Sequence, residues 1–173
     1  FSGKTLVKKW NGQTWEFFGS EGILSETVRD QCVAVDSAGN PVVVFREISN
    51  GNKTRVIRWN GTNWIGVGNP GLSTGLSFFH SIALDSLNNP IIAFTDFGND
   101  TLATVLKWDG NNWLSYGTPA VTASTARKLS LILDSLDYPV LAYADSIDYI
   151  HVQRWDGSAW NQIGTVGFNY GDI

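Results

Sequence analysis

The sequence predicts an all-β chain, and three observations predict it. A unit of about 49 residues recurs along the chain, and each unit carries hairpin-turn chemistry at a fixed phase. The apolar segments between the turns are four to seven residues long, with no helical periodicity.

The repeat is carried by two independent markers. The first reads Trp10-Asn-Gly-Gln-Thr-Trp15, Trp59-Asn-Gly-Thr-Asn-Trp64, Trp108-Asp-Gly-Asn-Asn-Trp113 and Trp155-Asp-Gly-Ser-Ala-Trp160, with steps of 49, 49 and 47 residues. A glycine follows each second Trp four residues later, at Gly19, Gly68, Gly117 and Gly164. The second marker is Asp36, Asp85 and Asp134, each followed by Ser and, five residues on, by Pro41, Pro90 and Pro139. Two markers that hold register over three periods are not coincidence.

Each unit parses into four strands. The first strands are expected at 32–36, 81–85 and 130–134; their apolar runs on both faces predict burial on both. The second begin at the prolines, 41–47, 90–96 and 139–145, where proline forfeits no ladder bond. The third are expected at 5–10, 54–59, 103–108 and 150–155. Asn-Gly or Asp-Gly then turns the chain, both residues tolerating positive φ, and the fourth strand starts at the second Trp.

Four antiparallel strands in a 40–50-residue repeat is the arithmetic of a β-propeller blade. The expected organisation is one repeat domain, 1–173, with a half-blade at 4–19 and blades at about 30–68, 79–117 and 128–164. The strand count is 14, or three and a half blades. Closed propellers have four or more, so the expectation is a piece of a longer chain, or a ring completed by further repeats or self-association. The motif resembles the Trp-Asp-Gly-x-x-Trp propeller-type repeats of bacterial secreted and surface proteins, over nearly the whole chain, and is loosely similar to the repeats of propeller lectins. The resemblance implies a propeller and an extracellular or cell-surface setting. No sugar-binding residue of a lectin family matches here, and the Asp-x-Asp-Gly calcium pattern is absent.

Composition narrows the function classes. A net charge of −4 with no basic block argues against nucleic acid, and no apolar run approaches a spanning segment, which argues against membrane insertion. Cys32 is the only cysteine, so an intrachain disulfide is impossible; it aligns with Ser81 and Ser130 as a small filler. His80 and His151 sit at different phases of the repeat and make no metal site. Gly71-Leu-Ser73-Thr-Gly75 matches Gly-x-Ser-x-Gly, but it falls in the connection 69–79 without the strand-to-helix context of a nucleophile elbow, and no catalytic residues, metal or cofactor are expected.

Strand direction assigns residues to two rims. Asp36, Asp85 and Asp134 share one rim with Lys9, Arg58, Lys107 and Arg154, and read as structural pairs or as cations over indoles. Trp10, Trp59, Trp108 and Trp155 likewise read as packing. The other rim carries Glu47, Asp96 and Asp145 and the connections 20–29, 69–79 and 118–127, which differ between repeats. Variable loops on a rigid scaffold are where ligands bind. Those three acids could coordinate a cation or accept from sugar hydroxyls. Trp15, Trp64, Trp113 and Trp160, at the start of the outer strand, are the candidate stacking platforms. The function these features support is a non-enzymatic extracellular or cell-surface module recognising glycan or protein. The alternative is a structural or assembly repeat with no small ligand.

Overall fold

The computed structural model describes residues 5–19, 27–118, 120–165 and 167; the connection expected at 20–29 lies mostly outside them. Among these, fourteen strands form four antiparallel sheets. Sheet I pairs β1 (Lys8–Trp10) with β2 (Trp15–Phe17). Sheet II is the meander β3 (Val28–Val35), β4 (Pro41–Glu47), β5 (Lys53–Trp59), β6 (Trp64–Gly66). Sheet III repeats it as β7 (Ser77–Leu84), β8 (Pro90–Asp96), β9 (Leu102–Trp108), β10 (Trp113–Ser115). Sheet IV does so as β11 (Arg127–Leu133), β12 (Pro139–Ala144), β13 (Ile150–Trp155), β14 (Trp160–Gln162). No described helix is long and apolar enough to cross a membrane.

Sheets stack face to face, with first strands in contact: β3 on β7 and β7 on β11. Alternation along each strand feeds both interfaces. Cys32, Ala34, Val42, Val44 and Val56 of sheet II meet Ile82, Ile92, Phe94 and Leu106 of sheet III. Ile91, Ala93, Ala103 and Val105 of sheet III meet Leu129, Leu131, Leu141 and Tyr143 of sheet IV. The second strands β4 and β8, flanked on both sides within their sheets, are buried at all seven positions. The expectation that the first strands are buried on both faces fails for β3 and β11. Val33 (54%), Val35 (60%) and Ile132 (61%) are exposed, because among the described residues no complete sheet covers those faces. In β7, with a sheet on either side, Ile82, the equivalent of Val33, is 8% exposed.

Two further expectations are corrected. The first strands start three or four residues earlier than the apolar runs suggest. A β-bulge interrupts pairing between Arg29 and Cys32, Phe78 and Ser81, and Arg127 and Ser130. The bulge places Asp30 (φ 53°), Phe79 (φ 52°) and Lys128 (φ 54°) in the left-handed region, one per sheet. In the Trp-Asn/Asp-Gly hairpins only the glycine has positive φ, 97° to 105°. The residue before it instead accepts two backbone N–H bonds, as Asn60 Oδ1 does from Thr62 and Asn63 and Asp109 Oδ1 from Asn111 and Asn112. In the fourth unit such bonds from Ala159 and Ser158 hold the Asp156 carboxyl down to about 2.

Candidate functional site at the irregular rim

The repeated residues are consumed by the scaffold. Asp36, Asp85 and Asp134 each accept N–H bonds from residues two and four positions on, closing the Asp-Ser turn. Each also faces a third-strand cation. Lys107 lies 2.9 Å from Asp85 and Arg154 Nε 2.7 Å from Asp134, while Arg58 stands 3.9 Å from Asp36. Neighbouring turns are tied together: Ser37 N donates to Asn88 Oδ1 (2.9 Å) and Ser86 N to Asp137 Oδ2 (3.1 Å).

The tryptophans latch one sheet to the next. The indole N–H of Trp64 donates to the Phe18 carbonyl (2.9 Å), that of Trp113 to Val67 (3.0 Å) and that of Trp160 to Tyr116 (2.8 Å). The following glycine of the donor's neighbouring sheet lies under the same indoles. A Cβ on Gly68 would stand 2.8 Å from both Trp108 and Trp113, and one on Gly19 would stand 2.8 Å from Trp59. The paired indoles of each hairpin pack at 5.5–5.9 Å between centroids. Trp64, Trp113 and Trp160 are half-buried; Trp10 (53%) and Trp15 (62%), on sheet I, are more open.

On the irregular rim the three acids have internal partners. Glu47, 3% exposed, pairs with Arg55. Asp96, 2% exposed, accepts from Thr74 N (2.8 Å), Thr74 Oγ1 (2.9 Å), Gly75 N (2.9 Å) and Gly98 N (3.0 Å), pinning the incoming connection to the 97–101 loop. Asp145 accepts from Ile147 N and Tyr149 N and faces His151 Nε2 at 3.1 Å. Partial burial pushes its carboxyl upward, but these donors outweigh that and hold it below the usual range. Each acid is separately enclosed, and among the described residues no three His, Cys, Asp or Glu converge on a metal-sized space. His80, 7% exposed, bonds Thr54 Oγ1 of sheet II (3.1 Å) across the interface and Ser77 Oγ of its own strand (3.2 Å). Burial pushes it down to about 4; the Asp30 carbonyl opposes this and the Arg46 guanidinium adds to it.

What the sequence leaves unmarked is a cleft between sheets III and IV at this rim. It has a volume of about 260 Å³ and is lined by Phe78, Phe79, Thr95, Phe97, Thr101, Thr125 and Arg127, through apolar atoms only. Phe78 and Phe97 stand 5.1 Å apart, and Phe78 and Phe79 6.1 Å. Thr101 and Thr125 share a hydroxyl hydrogen bond of 2.8 Å. Arg127 is anchored by the carbonyls of Asp145 (2.9 Å) and Ser146 (3.1 Å). The corresponding place between sheets II and III is filled. Arg46, the positional equivalent of Thr95, lies 4.2 Å over the Phe78 ring and 3.0 Å from Asp30.

No family model matches this chain, and no curated protein does. Solved structures do. A fucose lectin from Kordia zhangzhouensis in complex with methyl-fucoside superposes with a TM-score of 0.55 at 19% identity, over 80% of this chain and 99% of that one. The SapL1 lectin in complex with alpha methyl fucoside gives 0.67 at 16% identity, over 95% and 56%. The fucose-specific lectin from Aleuria aurantia gives 0.67 at 17%, over 95% and 55%. The chain thus spans little more than half the length of the latter two. An endo-1,4-beta-xylanase from Bacteroides thetaiotaomicron shares the fold more distantly, with a TM-score of 0.54 at 10% identity. At these identities the likeness is one of fold: an all-β, β-propeller-like array of four-stranded antiparallel sheets.

Proposed function

We propose that this chain is a non-enzymatic, extracellular or cell-surface glycan-binding module, built as about three and a half blades of a β-propeller. The observation that carries the reading is its fold likeness to three lectins, two of them fucose lectins and one in complex with alpha methyl fucoside. Two features of the chain support it. The repeated acids, cations and indoles are occupied by the scaffold, which leaves the irregular rim as the surface free to vary. That rim carries an open aromatic cleft, whereas the hydroxyl–imidazole contacts of His80 with Ser77 and Thr54 are buried between sheets II and III, closed to a substrate. Trp15 is the most exposed of the four candidate platforms. The other three have their N–H committed to a carbonyl but retain partly open ring faces. A glycan array probed with the purified protein tests the proposal. Saturable, competable binding to a defined set of glycans is expected; an array without hits sinks it.

A structural or assembly repeat is the second reading, and one observation favours it. The face of sheet II that bears Val33 and Val35 borders an open space of about 520 Å³ beside β1. Further repeats or another copy of the chain would cover it. Sedimentation of the chain at several concentrations separates the readings, since an assembly repeat self-associates without any saccharide.

A further inference from the structure

We propose that the cleft between sheets III and IV is a saccharide site that takes a single sugar ring by its apolar C–H face against Phe79 and Phe97. We further propose that it occurs once in these repeats, not once per repeat. The inference rests on the glycan-binding reading above and deepens it.

The bulge forces a left-handed residue at the same point of sheets II, III and IV, and the occupants are Asp30, Phe79 and Lys128. The fold demands the backbone conformation but not the side chain. Gly or Asn would satisfy it with less strain, and a bulky residue there is a marked outlier. Phe79 is nevertheless present and is 38% exposed, beside Phe97 at 48%. A ring that strains the backbone and remains open to solvent is poorly explained by packing.

A cavity of about 260 Å³ falls just under the roughly 300–1,000 Å³ of drug-sized sites and suits one ring. Aromatic walls stack on the C–H face of a ring, and because the lining is apolar throughout, a sugar seated there would turn its hydroxyls to solvent. A protein partner fits less well. It needs about 800 Å² on each side, and the surrounding rim presents exposed charges of both signs, Asp100, Lys128 and Asp148, which interface cores avoid.

Between sheets II and III, Arg46 lies on Phe78 where Thr95 leaves space one repeat later. The scaffold is periodic, but the cleft is not.

The test is titration of the protein with a panel of methyl glycosides, including methyl α-fucoside, neutral hexosides and N-acetylhexosaminides. Ring resonances of Phe79 and Phe97 and calorimetric stoichiometry are followed. One glycoside is expected to shift both rings saturably at one site per chain. Phe79→Asn is expected to keep or raise Tm while weakening that binding at least tenfold. Phe97→Ser should weaken it likewise. If glycoside binding survives both variants, or has a stoichiometry of two or more, the site lies elsewhere and this inference falls while the lectin reading stands. If Phe79→Asn lowers Tm by several degrees, the ring is packing and the inference also falls. If no glycoside binds here or on the array, both fall.

Discussion

The indole N–H of Trp113 donates to the carbonyl of Val67 across the gap between sheets III and II, 46 residues back in the chain. The same bond recurs from Trp64 to Phe18 and, with a 44-residue span, from Trp160 to Tyr116. One side chain thereby reads the register of the preceding sheet as well as its own. Trp113→Phe keeps most of the ring but removes the donor and leaves the Val67 carbonyl short of a partner. Losing one such bond costs about 1–2 kcal/mol, which should appear as a lower denaturation midpoint with an unchanged slope. A Trp113 that served only as a ligand platform would show no stability loss.

The glycine after each outer strand is the other half of this latch. Gly68 has a φ of 69°, and a Cβ there would stand 2.8 Å from Trp108 and Trp113. Gly61 also has positive φ, 97°, but its Cβ would meet nothing within 4 Å. Gly61→Ala should cost about 1–2 kcal/mol from backbone strain alone. Gly68→Ala should cost more, about 3 kcal/mol or above, because the indoles must also move. Equal losses in thermal denaturation would show that the Trp–Gly contact carries no energy of its own.

These two cases explain how far the sequence could be read. Trp113 and Gly68 recur at fixed spacing because every interface needs the same latch, so periodicity exposes them. The bulge residues Asp30, Phe79 and Lys128 are also periodic, but none is glycine, so nothing in the sequence marks their left-handed backbone. Phe78, Phe79 and Phe97 belong to one repeat only, and their convergence depends on a cleft between two sheets. Asp96 is visible as an acid at a strand end. That Thr74, Gly75 and Gly98 surround its carboxylate depends on where a ten-residue connection folds back.

His80 makes stability depend on pH. Its pKa falls from 6.5 to about 4 in the folded state, so the unfolded chain binds the proton more readily. The neutral ring's contribution is complete above pH 6.5 and is lost as pH falls from there towards 4. The full loss is on the order of 3 kcal/mol at about 1.4 kcal/mol per pH unit. Urea unfolding between pH 7.5 and 4.5 should show the decline, and His80→Gln, which carries the residue found at position 31, should flatten it. An unchanged pH dependence in that variant would rule out His80 as its source.

Arg46 offers a direct measure of how the cleft between sheets II and III is closed. It is 9% exposed, lies 4.2 Å over Phe78 and pairs with Asp30 at 3.0 Å. Asp30 is partly open to water, so removing the cation does not strand a buried charge. Arg46→Thr, the residue at the equivalent position 95, should therefore cost only about 1–2 kcal/mol. Phe78→Leu removes the ring from beneath the guanidinium. The double variant should lose less than the sum of the single losses, with a coupling of about 0.5–1 kcal/mol if the ring and cation hold each other. Additive losses in urea denaturation would instead mean that Arg46 is held by Asp30 alone, and that the aromatic wall contributes nothing to closing this side.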